Sequence, residues 1–291
     1  MSSQKTVLKL AEQTEGGQLT KAGEDRLVRT VASAKQAAAE LGCAELMAFA
    51  TSAVREAANA AKVLDRIRNE TGVTLRVLPG DQEATYTFLA VRRWYGWSAG
   101  RLLVLDIGGG SLEMAMGIDE APELAVSLPL GAGRLSRERL RGDPPGKSEI
   151  SDLREWLDDQ LAPAARKARK LGRPDRSVAT SKTFRSLARL TGAAPSSAGL
   201  RVRRTLTDTS LRQIIAFISR MSASDVAELE GVSASRAHQL VAGALVAEAS
   251  MRAFDVPELE ICPWALREGV ILRRLDAELD GNGYPHSMAD A

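Results

Sequence analysis

The segment RLLVLDIGGGSLEMAMGI, residues 101–118, decides the fold of this chain. It begins with a continuous apolar run, residues 102–105, which is typical of a fully buried strand. The run ends at Asp106, which is followed by a glycine-rich turn. Beyond the turn, Leu and Met side chains alternate with Glu113 and small residues, and this period of two predicts a second strand. The glycine loops of P-loop and dinucleotide-binding proteins open a helix instead. The segment therefore predicts a β-hairpin, with Glu113 on the face opposite the Leu and Met side chains.

The turn of this hairpin is a candidate phosphate site. Glycine has no Cβ, so backbone amides in such a turn can approach an anion closely and point toward it. An ordinary glycine-rich hairpin is the alternative interpretation. The acids on either side, Asp106 and Glu113, favour phosphate together with a divalent metal, since carboxylate oxygens are ligands of hard cations. The residues predicted to bind phosphate here are Gly108, Gly109, Gly110 and Ser111.

Composition and charge indicate the number of domains, the kinds of partner and the expected location. The 291 residues suit one or two domains, and 39 Lys and Arg side chains nearly balance 37 Asp and Glu, so charge indicates no nucleic-acid partner. Cys43 and Cys262 each lie in or beside an apolar run and are predicted to be reduced core residues. No apolar run reaches about 18 residues, and the first ten residues lack the apolar core of a signal peptide. These features predict a cytoplasmic protein with no membrane partner.

Strand and helix patterns alternate along the chain, which predicts an α/β protein with a mixed sheet in each half. The predicted strands cover residues 5–10, 46–50, 73–78, 102–105, 112–118, 124–130, 178–181 and 259–262. The predicted helices cover residues 20–41, 53–70, 84–95, 148–171, 182–192, 207–221 and 233–254, with one more after residue 269.

Two strand-to-helix turns carry hydroxyl side chains. Thr51 or Ser52 can cap the helix that follows, and the start of a helix presents free amides to an anion. Arg55 lies one turn further on and could bind a second phosphate; the alternative is a surface arginine paired with Glu56. Lys182 begins the corresponding helix in the second half. Four loops with small or hydroxyl residues are expected to face a common cleft: 51–52, 108–111, 131–133 and 180–183.

Seven segments resemble the Ppx/GppA family of exopolyphosphatases and guanosine pentaphosphate phosphatases, which has the actin-like ATPase fold. The most specific is VLDIGGGSLEMAMG, residues 104–117, because other actin-like proteins seldom combine this loop with an acid preceded by a Gly-x-x turn. The resemblance extends over nearly the whole chain and is greatest to the short, two-domain actinobacterial members. The other segments are ATSAVREAANA (50–60), GDQEA (80–84), LPLGAGRL (128–135), ATSKTFRSLARL (179–190), LEGVSASRAHQLVAGA (229–244) and LREG (266–269).

The resemblance implies an α/β fold of the two-domain actin-like ATPase (ribonuclease H-like) superfold. Domain I is expected at residues 1–98, domain II with a helical insertion at 99–280, and a disordered tail at 281–291; the final helix is expected to pack back on domain I. The family opens with a strand, an Asp-x-Gly-Ser-Asn loop and a second strand, and no such motif precedes TVLKLAEQ, residues 6–13. We therefore expect domain I to be truncated at its N-terminus by about 25–30 residues, the length of two strands and a turn.

The same resemblance implies roles for individual residues. Glu83 matches the family's catalytic glutamate, which helps to prepare the attacking water. Asp106 and Glu113 match the acids that position Mg²⁺ (or Mn²⁺) and water at the terminal phosphate. Arg267 matches a basic position facing the cleft; the alternative is a surface residue at a helix start. Further positions near the phosphates are matched by Arg55, Asn59, Ser181, Lys182 and Thr183.

The implied reaction is the metal-dependent removal of the terminal orthophosphate from inorganic polyphosphate. One alternative is hydrolysis of the 5′ phosphate of guanosine pentaphosphate (pppGpp), and another is a catalytically impaired protein that binds polyphosphate or (p)ppGpp. The three acids favour an enzyme, whereas the missing loop favours a binding protein. No nucleic acid or membrane is expected as a partner, and a homodimer is left open.

Overall fold

The computed structural model describes Thr6, Leu8 and residues 10–279, with the backbone alone at residues 11 and 12. The chain forms two compact units, Met1–Gly80 and Asp81–Ala291. Most of the predicted strand over residues 5–10 and the whole predicted tail over 281–291 lie outside the described residues. None of the helices in the described part of the chain combines the length and the apolar character that crossing a membrane requires.

The first unit is a small α/β structure. Its core contains Leu27, Val28, Val63 and Ile67, which pack between two helices. The strands predicted at 46–50 and 73–78 are present and pair in parallel. The elements are β1 (Thr14–Glu15), β2 (Gln18–Leu19), α1 (Lys21–Glu40), β3 (Ala48–Ala50), α2 (Ser52–Arg55), α3 (Ala60–Thr71) and β4 (Leu75–Val77).

The single helix predicted over 53–70 is wrong, because the chain leaves the helical path between α2 and α3. There, the Ala58 amide donates to Gly17 O at 2.8 Å, and the Asn59 side chain bonds to both Leu19 N and Leu19 O. Pairing with the β1–β2 hairpin therefore replaces the helical hydrogen bonds. Cys43 also differs from its prediction, since it is exposed rather than part of a core; Cys262 is buried, and both thiols are free.

The second unit is built on a six-stranded mixed sheet with the order β7-β6-β5-β8-β10-β9. The predicted hairpin forms its antiparallel part, and β8 and β10 run parallel to β5. The strands are β5 (Leu102–Ile107), β6 (Leu112–Gly117), β7 (Leu124–Leu128), β8 (Arg176–Thr180), β9 (Thr205–Thr207) and β10 (Glu258–Ile261). The helices are α4 (Gly80–Tyr95), α5 (Ala132–Arg139), α6 (Lys147–Lys170), α7 (Ser181–Leu190), α8 (Asp208–Ile218), α9 (Ala223–Ala227), α10 (Leu240–Ala253) and α11 (Leu266–Leu279).

Helices cover both faces of this sheet. Leu105, Ile107 and Met114 belong to the large core under α6, α7 and α10, while Leu102 and Val104 point to the other face and pack against α4. Short elements that local pattern does not indicate are β9, α5 and α9. The predicted helix over 233–254 begins instead with a 3₁₀ turn, Ala234–Gln239, before α10.

Helix α4 belongs to the second unit, although the sequence places residues up to 98 in domain I. Its Phe88 and Val91 pack with Leu102 and Val104, so its apolar face is buried against the sheet. The final helix, α11, packs on α4, as the close approach of Gly269 to Tyr86 shows: a Cβ on Gly269 would lie 1.8 Å from Tyr86 O. Along the chain, the first unit ends at Gly80 and the second begins at Asp81.

Candidate active site

One transverse row of four polar side chains crosses the sheet at the carboxyl ends of β5 and β8. In the strand register, Glu113 lies opposite both Ser127 and Asp106, and Asp106 lies beside Thr180. Register partners on neighbouring strands point to the same face, so these four side chains lie side by side and form one row, the acid row. The outer hydroxyls bind the inner acids: Ser127 Oγ donates to Glu113 Oε1 at 2.8 Å, and Thr180 Oγ1 donates to Asp106 Oδ2. The hairpin thus brings together the two acids that the sequence singled out.

Helix α4 adds the third acid. Val104 lies two residues before Asp106 on β5, and its register partner Ala115 lies two residues after Glu113 on β6. Both pack against Phe88 of α4. This packing holds α4 over the face on which the acids lie. Glu83 stands in the first turn of α4, and its charge raises the pKa of Glu113. The predicted catalytic glutamate is therefore close to the predicted metal ligands.

Asp106 and Glu113 are both difficult to ionise in the folded chain when no cation is bound. Burial raises the pKa of Glu113 to about 8, helped by the charges of Glu83 and Asp106 and opposed by hydrogen bonds from Ser111 and Ser127. Burial also raises the pKa of Asp106, against the effect of the Thr180 hydroxyl. Neither Asp106 nor Glu113 forms an ion pair with a described residue. Acids in this state favour a bound cation, because a cation stabilises the charged form.

The glycine loop presents unpaired amides. Within the described part of the chain, the amides of Gly109, Gly110 and Ser111 donate to no other backbone group, whereas Gly108 N donates to Ser111 O at 2.9 Å. Gly109 faces open space, since a Cβ built on it would meet nothing within 4 Å. Three adjacent free amides form a concave site for an oxyanion. Phosphate binding by this loop stays a prediction.

The start of α5 holds the glycine loop in place from behind. Ala132 N donates to Gly108 O at 3.0 Å and Arg134 N to Gly109 O at 2.9 Å, while Arg134 Nε donates to Gly110 O at 3.0 Å. A Cβ on Gly131 would lie 2.2 Å from Gly110 C, so only glycine allows this approach. These bonds hold the loop through its carbonyls, and its amides at residues 109–111 have no backbone acceptor in the described part of the chain.

The second predicted loop, residues 180–183, lies next to the acid row. Ser181 begins α7 with a φ of 76°, a left-handed conformation that is uncommon for residues other than glycine. Thr183 Oγ1 donates to Ile107 O at 3.2 Å, which ties α7 to the strand that carries Asp106. Lys182 and Thr183 line a small cavity together with Arg236. The loop therefore adds hydroxyls and a cation near the acids.

Arg236 is a site residue that sequence reasoning missed. Together with Arg185, it lowers the pKa of Asp106, and its own pKa is lowered by burial. It stands in the 3₁₀ turn before α10, far along the chain from the hairpin. The only signal in the sequence was its place in the segment LEGVSASRAHQLVAGA, which indicated a resemblance without a role.

The remaining predicted residues have other contacts. Arg55 Nη1 donates to Leu78 O at 2.7 Å, and the Asn59 amide also donates to Glu24 Oε1 at 3.0 Å. Both residues thus help to hold the first unit together. Thr51 precedes α2 without a side-chain capping bond, and Ser52 begins this helix. In the second unit, Arg267 is exposed and paired with Glu268 at 2.7 Å.

The acid row suits a divalent hard cation that also binds the substrate. In residues 10–279, no three His, Cys, Asp or Glu side chains lie close enough to form a complete metal site. Mg²⁺ is commonly held by one or two carboxylates together with waters and substrate phosphates. Asp106 and Glu113 fit this role because they are adjacent in the strand register, Glu113 being buried and Asp106 half-buried. Asp106 Oδ1 accepts no hydrogen bond from a described residue.

The comparison with protein families agrees with this geometry. A model described as the Ppx/GppA phosphatase family matches residues 1–278. The chain belongs to the Ppx/GppA phosphatase family. This membership confirms the family that the seven segments indicated.

Curated relatives in the Ppx/GppA family are similar over most of their length. Exopolyphosphatase 1 of Mycobacterium tuberculosis is 65% identical over 290 residues, which cover 99% of this chain and 84% of that protein. Exopolyphosphatase 1 of Mycobacterium leprae is 63% identical over 282 residues, covering 97% of this chain and 83% of the relative.

Solved structures of the Ppx/GppA family share the fold. An exopolyphosphatase from Cytophaga hutchinsonii has a TM-score of 0.80 at 24% identity, over 92% of this chain and 86% of that one. A Ppx/GppA family member from Aquifex aeolicus has a TM-score of 0.77 at 24% identity, over 97% of this chain and 89% of that one. The fold is the actin-like two-domain fold that the sequence predicts.

Proposed function

We propose that this protein is an exopolyphosphatase, which hydrolyses the terminal phosphoanhydride bond of inorganic polyphosphate with the help of a divalent metal. The observation that carries the proposal is the placement of Asp106, Glu113 and Glu83 beside a loop with three free amides. The relatives named Exopolyphosphatase 1 support the same activity. Mg²⁺ or Mn²⁺ is proposed as the metal, since the available ligands are carboxylate oxygens.

The glycine loop would bind the terminal phosphate. Its free amides can donate to the equatorial oxygens, where negative charge is spread in the transition state. Donors that are already oriented lower the barrier because they need no rearrangement during the reaction. Arg185 and Arg236, which both lower the pKa of Asp106 electrostatically, would add positive charge near the acids.

Glu83 would act on the water that attacks the terminal phosphate. A water oxygen forms a bond to the terminal phosphorus while the bridging P–O bond breaks, and the electron pair of that bond leaves with the shortened chain. Glu83 orients the water and accepts its proton. Asp106 and Glu113 would hold the metal, which when bound neutralises charge on the phosphate oxygens.

Other assignments in this proposal rest on the family resemblance. Arg55 and Asn59 keep their proposed phosphate contacts, although both already hold backbone groups of the first unit. A cytoplasmic location and a homodimer stay predictions. The residues proposed to contact more distant phosphates are Thr51, Ser52, Arg55, Asn59, Ser181, Lys182, Thr183 and Arg267.

The decisive experiment measures orthophosphate released by the purified chain from polyphosphate and, in parallel, from pppGpp. We expect release from polyphosphate with Mg²⁺ and none after chelation with EDTA. Release from pppGpp alone would assign the alternative substrate. Release from neither would contradict an enzyme, provided that circular dichroism shows a folded protein.

A further inference from the structure

We infer that Ser127 and Thr180 are positioning residues for the acid pair. Each hydroxyl binds one carboxylate oxygen from outside and thereby turns the other oxygen toward the cation and the substrate. The inference rests on the proposed metal-dependent function, and it gives Ser127 and Thr180 a role that the comparisons do not assign.

The strand register supports this role, because it places one hydroxyl at each end of the acid pair. Glu113 on β6 is held by its register partner on β7, and Asp106 on β5 is held by its register partner on β8. The two hydroxyls therefore flank the acid pair at both ends of one row. A hydroxyl has a single proton to donate, and here both protons go to the acids.

The position of Thr180 distinguishes positioning from helix capping. Thr180 is the N-cap residue of α7, where threonine usually accepts a hydrogen bond from an amide of the first turn. Its side chain makes no such bond. It is fully buried, at 0% exposure, and it donates to Asp106 instead. The hydroxyl thus serves the acid and not the helix.

The hydrogen bond from Thr180 fixes the direction of the other carboxylate oxygen of Asp106. Thr180 occupies Oδ2, and Oδ1 accepts no hydrogen bond from a described residue. A carboxylate fixed by one oxygen cannot rotate freely, so the other oxygen keeps its direction. Hydrogen-bonding partners of metal ligands orient those ligands in this way, and their loss typically weakens metal binding or activity by about 10–100-fold.

Direct Mn²⁺ binding tests the inference without substrate. We would titrate the full chain with Mn²⁺ and follow the free ion by electron paramagnetic resonance. Thr180→Val and Ser127→Ala should each weaken binding by about 10–100-fold, whereas Thr180→Ser and Ser127→Thr, which keep the hydroxyl, should retain it. The matched control is Ser186→Ala, which removes another buried hydroxyl that donates to Gly231 O at 2.9 Å; it should leave Mn²⁺ binding unchanged.

The outcomes separate this inference from the proposed function. Unchanged Mn²⁺ affinity in Thr180→Val and Ser127→Ala would overturn the positioning role. An equal loss of Mn²⁺ affinity in Ser186→Ala would also overturn it, as would the absence of Mn²⁺ binding to the native chain. Steady-state kinetics give a second readout: the hydroxyl-deleted variants should lose kcat at an unchanged KM for polyphosphate. If the native chain binds Mn²⁺ but does not hydrolyse polyphosphate, the proposed function fails while the Mn²⁺ series still decides the role of the hydroxyls.

Discussion

Asp106 and Glu113 are direct partners in the register of the β5–β6 hairpin. Their carboxylates share one face of the sheet, and neither has a cation within ion-pair distance in the described part of the chain. The protein therefore places Glu113 where the charge of Asp106 raises its pKa and makes its ionisation more difficult. Charge repulsion of this kind is characteristic of sites that bind a cation or transfer a proton.

The first prediction concerns stability in the absence of metal. The pKa of Glu113 is about 8 in the folded chain, against 4.5 for the same side chain in an unfolded chain. Because the folded state holds this proton more tightly, the native chain loses stability as pH rises from 4.5 to 8, on the order of 1.4 kcal/mol per pH unit from this group. Glu113→Gln, which mimics the protonated acid, should therefore become increasingly more stable than the native chain over this range.

Urea unfolding at pH 5, 7 and 9 in EDTA measures this difference. Glu155→Gln on α6 is the control, because Glu155 is exposed. Its stability relative to the native chain should not vary with pH. A constant difference between Glu113→Gln and the native chain at all three pH values would contradict the assigned environment of Glu113.

The second prediction concerns Glu83. Glu83→Gln should reduce kcat for polyphosphate by about 10²–10⁴-fold, the usual cost of losing a general base. KM should change little, because the glycine loop that is proposed to bind the terminal phosphate is intact. Phosphate release under saturating substrate is the measurement, with Glu155→Gln again as the control. A rate near that of the native chain would remove Glu83 from the mechanism.

The third prediction contrasts two glycines. Gly109→Ala places a methyl group in open space, so its thermal midpoint should match that of the native chain. Its kcat/KM should nevertheless fall by about 10²-fold, because the methyl group separates the amides from the phosphate.

Gly131→Ala places the methyl group 2.2 Å from Gly110 C and should lower stability by about 1–3 kcal/mol. Calorimetry and phosphate release separate the two effects; a destabilised Gly109→Ala with normal kcat/KM would show that the loop does not bind substrate.

The fourth prediction concerns Arg236. Arg236→Ala should raise the KM for polyphosphate by about 10–100-fold, since a hydrogen bond to a charged group contributes about 1.5–3 kcal/mol. Arg236→Lys should recover part of this loss by restoring the charge. Arg212→Ala is the control, because Arg212 is an exposed residue of α8 paired only with Asp208 of the same helix among the described residues. Equal KM values for Arg236→Ala and the native chain would place substrate elsewhere.

Local patterns in the sequence predicted much of the fold. The alternation after the glycine loop indicated β6, and the apolar run before it indicated β5. The pattern failed where distant segments intervene. Residues 56–59 look helical, yet they bond to the β1–β2 hairpin, and α5 is a helix whose first amides hold the glycine loop. In both places hydrogen bonds to distant parts of the chain outweigh local propensity.

The sequence alone determined the residue types of the site: two acids on either side of a glycine loop, because a hairpin is a local structure whose strands are joined by the loop itself. Only the tertiary structure decided which side chains surround these acids. Ser127, Thr180 and Arg236 reach Asp106 or Glu113 through β7, β8 and the turn before α10. Glu83 does so because Phe88 anchors α4 on the sheet. Local periodicity shows which face of each strand or helix is apolar, but which strands pair and which helices pack on them depends on contacts between residues far apart in the chain.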